Sequence, residues 1–251
     1  MRPITLTTDF GSRDGYVAAM KGVCYSAAPG AMIVDITHEI PPQNLRAAAW
    51  VCGSALPYFP PHSVHVIVVD PTVGSDRRPL VAEYRSGFVI CPDNGLLGLL
   101  TRFMHLGAIR EISVDEPVSA TFHGRDVFCP CAVRLAKGGR FEEVGPRVID
   151  PVSASFDHPV FTSNGCRCDV VHIDGFGNII LSLHRDDAFK PTLVSVAGRN
   201  IPMKRIYADV AKGEMVALWG STGFLELAMR DGNATLELGL KPGDQVEVQS
   251  S

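Results

Sequence analysis

The chain of 251 residues predicts an α/β protein, with an N-terminal mostly parallel sheet flanked by helices and a smaller C-terminal all-β barrel. Three observations predict it. Strand-like and helix-like runs alternate over residues 1–150, the pattern of a parallel sheet covered by helices. Beyond residue 165 only short β-rich runs remain, separated by turn residues, as in a small barrel or sandwich. Third, the motifs Thr8-Asp9-Phe10-Gly11, Asp70-Pro71-Thr72-Val73-Gly74 and Phe122-His123-Gly124-Arg125-Asp126 each follow a strand-like stretch, where an open α/β sheet places its ligand contacts.

The elements follow in order. Residues 4–8 are β-rich, and 16–27 carry apolar side chains at helical spacing. Pro29-Gly30 ends that helix before a strand at 32–36, and Asn44 caps a helix through Ala55 with Pro57 beyond its end. Residues 64–69 form a continuous apolar run, as in a strand buried on both faces. Residues 80–84 and 88–91 flank Arg85-Ser86-Gly87 as a hairpin. A short helix is expected at 96–104, a strand at 109–114 and a helix from Asp126 through Lys137. The character changes at Asp150-Pro151, so 1–150 is read as one domain, 151–165 as a linker and 166–251 as the second domain. Runs at 167–173, 178–183, 192–196, 215–218, 224–229 and 245–248 read as its strands, with no helix among them.

Composition removes several function classes. The net charge is −4 and basic residues do not cluster, which argues against a nucleic-acid partner. Apolar runs fall short of the ~20 residues a membrane span needs, and Met1 to Leu6 enters a strand at once, which predicts a cytoplasmic protein. Seven cysteines include Cys129-Pro130-Cys131 and Cys166-Arg167-Cys168. These pairs suit a metal or plain packing. Packing is favoured, because Cys24, Cys52 and Cys129 occupy apolar helical positions and strand alternation puts Cys166 and Cys168 on one face.

Each motif carries two readings. Asp9 suits a ribose diol, since a carboxylate accepts two hydrogen bonds, whereas Asp14 suits a helix cap. Asp70 ends the most apolar strand, where a charge is costly unless paired or functional. Arg77 is placed to return and pair with it, structurally or catalytically. His123 precedes a helix N-terminus, whose dipole lowers proton affinity, or is an ordinary loop histidine. Asp174-Gly175-Phe176-Gly177-Asn178 reads as a turn, although Phe176 there needs something to pack on. No G-x-G-x-x-G or Walker pattern is present, so a dinucleotide or nucleoside triphosphate is not expected.

Taken together the chain resembles the S-adenosylmethionine hydroxide adenosyltransferases, relatives of fluorinating and chlorinating enzymes that use the same substrate. The resemblance rests on Thr7 to Gly11 with Asp14-Gly15-Tyr16, Val68 to Pro71 with Arg77-Arg78, Cys91-Pro92-Asp93-Asn94-Gly95, Thr121 to Asp126, His172 to Asn178 and Gly220 to Glu226. It implies attack of water at C5′ of the ribose, giving adenosine and L-methionine, with S-adenosylmethionine as substrate and neither cofactor nor metal. It also implies a homotrimer with sites between subunits. Asp70 and His123 would orient and deprotonate water, and Arg77 would pair with Asp70 and stabilise developing hydroxide. Asp9 would hold the ribose, Phe122 and Gly124 the reacting centre, and Asp174 the methionine ammonium. Phe176 and Tyr207 would pack on adenine and Asn178 bond its edge, with Ser221, Glu226 and the Met229 backbone at the methionine end. The chain departs from the family pattern at Thr72 and at Met229-Arg230-Asp231. Rival readings are a halide-using 5′-halo-5′-deoxyadenosine synthase and a non-catalytic sensor of adenosine or S-adenosylmethionine. The Asp70, Arg77 and His123 set argues against the halide reading.

Overall fold

A computed structural model describes residues 1–249 except 115, 116, 157, 164, 190, 192 and 197. The chain divides into two compact units, Met1–Ser155 and Phe156–Ser251.

In the first unit β1 (Ile4–Thr8), β2 (Ile33–Thr37), β3 (Val64–Val68), β4 (Pro79–Tyr84), β5 (Gly87–Pro92), β6 (Ile109–Glu111) and β7 (Arg147–Val148) form one sheet in the order β2-β1-β3-β5-β4-β6-β7. The first four strands of that order pair in parallel, and the β4–β5 hairpin turns the remaining edge antiparallel. Arg85 and Ser86, both at positive φ (48° and 66°), make the tight turn that this hairpin needs. The apolar side chains of β1 and β3 explain the layering. Ile4, Leu6, Val64, Val66 and Val68 pack under α1 (Tyr16–Ala27) and α4 (Cys129–Ala136). The opposite face carries Thr5, Thr7 and His65. Thr5 Oγ1 lies 2.9 Å from His65 Nδ1, and Cys52 Sγ of α2 (Leu45–Ala55) donates to Thr7 Oγ1 at 3.5 Å. Burial first, and the Arg85 charge second, push His65 down to about 4. Between α2 and α4 lies α3 (Leu96–Leu100), which packs beside α2.

Three local readings change. Asp14 does not cap α1: Gly15 occupies that position and no side chain caps it, whereas Asn44 Oδ1 does cap α2, accepting from Ala47 N at 2.9 Å. The last helix opens at Gly124, two residues before Asp126, as a π-type turn over Gly124–Phe128. Pro130 explains the wider turn, because it brings no N–H to continue the ordinary ladder. The strand expected to reach Val114 stops at Glu111.

In the second unit β9 (Gly165–Ile173), β10 (Ile179–His184), β11 (Leu193–Val196), β12 (Arg199–Pro202), β13 (Met215–Trp219), β14 (Phe224–Met229) and β15 (Gln245–Gln249) run β12-β11-β15-β9-β10-β14-β13, all antiparallel. Met203, just past β12, bridges to Ala217 of β13, which brings the two edges of the sheet together. Thr192, the expected start of β11, lies outside the described residues. Cys166 and Cys168 share the inner face with sulfurs 3.4 Å apart. The unit is not free of helix. In α5 (Ala234–Leu238) the Asn233 side chain caps Leu236 N at 2.9 Å, and Gly239 at φ 69° ends it. The 151–165 stretch is not a free linker either. Val152 N bonds Asp93 in the first unit, while Phe156 is buried in the second and β8 (Val160–Thr162) pairs with β9. Asp157 and Asn164 in that stretch lie outside the described residues.

Candidate active site

The crossover β1-α1-β2 lies to one side of β1, and the chain then passes to β3 on the other. The order therefore switches direction between β1 and β3, and such a switch opens a crevice at the C-terminal strand ends. Asp9 follows β1 and Asp70 follows β3, whose registers pair Thr8 with Val68. Asp9 Oδ2 accepts from Gln43 N at 2.8 Å.

Arg77 is the hub of the crevice. Its Nη2 donates to Asp70 Oδ2 at 2.5 Å and to His123 Nδ1 at 2.7 Å, and its Nε donates to Asp70 Oδ2 at 3.0 Å. The Asp70 and Arg77 side chains are each only 5% exposed, so the carboxylate and guanidinium neutralise each other out of water. Phe128 lies beneath, 5.5 Å from Arg77 Cζ to the ring centre. Thr72, one of the departures from the family pattern, donates its hydroxyl to Asp70 Oδ1 at 3.3 Å. Gly74 lets the two loops meet: at φ 79° its place for a Cβ is 2.3 Å from the Ala120 carbonyl oxygen, so only glycine fits.

The hub also fixes the state of His123. Arginine has donors only, so Nδ1 must accept, and a neutral His123 then carries its hydrogen on Nε2. Burial first, and the Arg77 charge second, push this imidazole below its ordinary value. Arg77 Nη1 is buried and bonds no acceptor among the described residues. Around the cluster, Phe122 packs edge-on against Phe10 and Tyr16 at 5.9 and 5.5 Å. A Cβ on the buried Gly124 would sit 3.3 Å from Met20 Sδ and 3.4 Å from Val68 Cγ1.

The second unit holds its own cavity of about 620 Å³, lined by Asp174, Phe176, Asn178, Tyr207 and Met229 with Arg230 and Asp231 nearby. Asp174 builds its wall: Oδ1 accepts from Phe176 N and Asn178 N, and Oδ2 from Asn178 Nδ2, all at 2.9 Å. This turn leaves Phe176 79% exposed at the cavity. Tyr207 donates its hydroxyl to Glu226 Oε1 at 2.5 Å. Burial raises the Glu226 carboxyl above its ordinary value against the opposing effect of that hydrogen bond.

The structure thus gathers Asp70, Arg77 and His123 in one unit and Asp174, Phe176, Asn178, Tyr207 and Met229 in the other. Glu226 stands one hydrogen bond behind Tyr207. Ser221 is exposed on the β13–β14 turn and does not line the cavity. Sequence reasoning missed Phe10 and Tyr16 as neighbours of Phe122, and Phe128 beneath Arg77. For Phe10 and Tyr16 their place in motifs already singled out was the available signal; Phe128 lies two residues past such a motif. Among the described residues no three His, Cys, Asp or Glu side chains gather as a metal site would need, and no helix is long and apolar enough to cross a membrane.

Comparison with known proteins agrees with this two-part arrangement. The SAM hydroxide adenosyltransferase N-terminal domain matches residues 4–145 and the C-terminal domain of the same family matches 168–247. The chain belongs to the SAM hydroxide adenosyltransferase family. It is 41% identical to an (R)-S-adenosyl-L-methionine hydrolase of Thermus thermophilus, over 99% of this chain and 100% of the relative. A protein of the same description from Salinispora tropica is 37% identical over 98% and 97%. A fluorinase of Actinopolyspora mzabensis is more distant, at 27% over 100% and 98%. A crystal structure of an uncharacterized conserved protein from Thermotoga maritima superposes with a TM-score of 0.90 at 33% identity, covering 98% of this chain and 99% of that one.

Proposed function

We propose that this chain is an enzyme that hydrolyses S-adenosyl-L-methionine to adenosine and L-methionine. The observation that carries the proposal is Arg77, holding Asp70 and His123 at once and keeping Nη1 free of any described acceptor. A buried donor without a partner is costly, and the oxygen of a water nucleophile suits it. The water oxygen bonds C5′ as the C5′–S bond breaks, and the electron pair leaves with sulfur as the neutral thioether of methionine. A sulfonium departs without protonation, so the reaction needs neither a general acid nor a metal, and no cofactor. Placement in line behind C5′ supplies much of the rate.

The tautomer divides the labour. His123 offers an Nε2–H, which orients the water oxygen. The proton goes to Asp70, because the protonated 5′-alcohol formed by attack is acidic enough to yield to a paired carboxylate. Arg77 holds the Asp70 carboxylate in place to receive that proton and offers its remaining Nη1–H to the water oxygen. Asp9 is assigned to the ribose diol, Phe122 and Gly124 to the reacting centre, and Phe176, Asn178 and Tyr207 to the adenine. Asp174, Ser221, Glu226 and Met229 are assigned to the methionine end. Asp174 serves there through the loop it holds as well as through its charge. We assign self-association as a homotrimer, in which substrate bound at one chain's Asp70 is completed by a neighbour's Asp174 loop. Family membership and the exposure of Phe176 support it. We place the protein in the cytoplasm.

The relatives' description specifies the R sulfonium epimer, and we assign that epimer here. Incubation with each epimer, with and without chloride and after chelator treatment, tests the reading. Adenosine and methionine from the R epimer alone, without halide or metal, is expected. A 5′-chloro product identifies the halide-using alternative, and tight binding without turnover identifies a sensor.

A further inference from the structure

The stretch Pro92-Asp93-Asn94-Gly95 has no part in the reaction as described, yet it grips the catalytic loop at both ends. At the entry, Asn94 Nδ2 donates to the Val69 carbonyl at 2.8 Å, one residue before Asp70. At the exit, Asp93 N donates to the Arg78 carbonyl at 2.8 Å, one residue after Arg77. The Asp93 side chain, 4% exposed, also holds the Arg78 guanidinium, with Nε at 2.8 Å and Nη2 at 2.6 Å from Oδ2. Its other oxygen accepts from Val152 N at 2.7 Å, and Arg78 Nη1 reaches Asp150 Oδ1 at 2.9 Å. Gly95, at φ 98°, keeps the turn tight: a Cβ there would meet the Ala154 Cβ at 2.8 Å.

We propose that Asn94 and Asp93, with Arg78 as partner, are positioning residues for the hydrolysis, clasping residues 70–78 so that Asp70 and Arg77 keep their register against His123. The assignment rests on the function proposed above. Neither Asp93 nor Asn94 bonds the side chains of Asp70, Arg77 or His123 among the described residues, so both act through the backbone ends and Arg78. Apart from the Arg77 contact with His123, the hydrogen bonds of residues 70–77 among the described residues are internal to the loop, such as Ser75 Oγ to the Thr72 carbonyl at 2.7 Å. A shift of about 1 Å in such a group costs roughly 10²-fold in rate.

Asn94→Asp breaks the clasp at its entry. It keeps the Oδ1 that accepts from Leu96 N at 3.3 Å and replaces the donor to Val69 with a charged carboxylate oxygen that repels that carbonyl. Steady-state kinetics should show kcat reduced by roughly 10²-fold with KM little changed. The acid limb of kcat should move up toward an ordinary histidine, as Arg77 loosens from His123. A purely structural role would lower the melting temperature without moving that limb. Asp93→Asn should act in the same direction, and it decides alone if Asn94→Asp does not fold. Wild-type protein that releases no adenosine overturns the function and this assignment together. Wild-type turnover with the folded variants within twofold of its kcat, or a loss confined to KM, overturns the clasp alone.

Discussion

Asp70 and Asp174 are both carboxylates set just beyond strand ends, and they are used in opposite ways. Asp70 faces a counter-charge: Arg77 takes both its oxygens, and each side chain is 5% exposed. Asp174 faces neutral donors of its own loop, two backbone N–H groups and the Asn178 amide. The first arrangement fixes a charge in a dry crevice, where electrostatics are strong. The second spends a carboxylate on loop shape and leaves an aromatic ring in the open. Lesions around Asp70 should therefore appear in kcat, and lesions around Asp174 in KM or loop stability.

The largest expected effect is on turnover. Asp70→Asn keeps the shape and one oxygen for Arg77 but removes the charge and the proton acceptor. Pre-steady-state kinetics should show the chemical step slowed by roughly 10²-fold or more, with substrate affinity nearly kept. Next comes stability. Asp70→Ala strands the buried Arg77 and should cost about 3–5 kcal/mol in urea unfolding. Asp174→Ala frees neutral loop donors and no counter-charge, and should cost about 1–3 kcal/mol. Equal losses would erase the distinction between the two carboxylates. Phe176→Ala then tests the binding side: it should raise KM roughly tenfold, the scale of losing a ring stacked on a base, with kcat within about twofold.

Two smaller effects depend on pH. His123 is held neutral below its ordinary value, so the acid limb of kcat/KM should lie below pH 6.5, and a limb above 6.5 would contradict the Arg77 contact. Glu226 has the opposite sign, since its folded carboxyl is raised. The unfolded chain releases that proton first, so stability is full below about pH 4.5 and falls as pH rises toward the folded value. Glu226→Gln should therefore unfold at a higher temperature than wild type at pH 7 and gain nothing at pH 4.

Much of this was legible in the amino acids, and the exceptions have physical causes. β1, α1 and β14 stand where periodicity puts them, because each buries one coherent apolar set. The Asp70–Arg77 pair was legible as a costly charge at the end of an apolar strand. Its contact with His123 was not, since it depends on Gly74 letting residues 46 apart in the chain approach. Asp14 misled because Gly15 takes the cap position. Helix α5 was hidden by its length of five residues, although Asn233 and Gly239 bracket it. The clasp role of Asp93 and Asn94 was invisible because both act on the backbone of a loop remote in sequence.

The central claim is that a water held by Asp70, Arg77 and His123 attacks carbon. Turnover of the R epimer of S-adenosyl-L-methionine in oxygen-18 water, followed by mass spectrometry of the nucleoside, tests it directly. One label per adenosine, located in the 5′-hydroxyl and lost with the activity in Asp70→Asn, is the predicted result. Unlabelled adenosine, free adenine in place of adenosine, or labelled product formed as fast by Asp70→Asn would contradict the account.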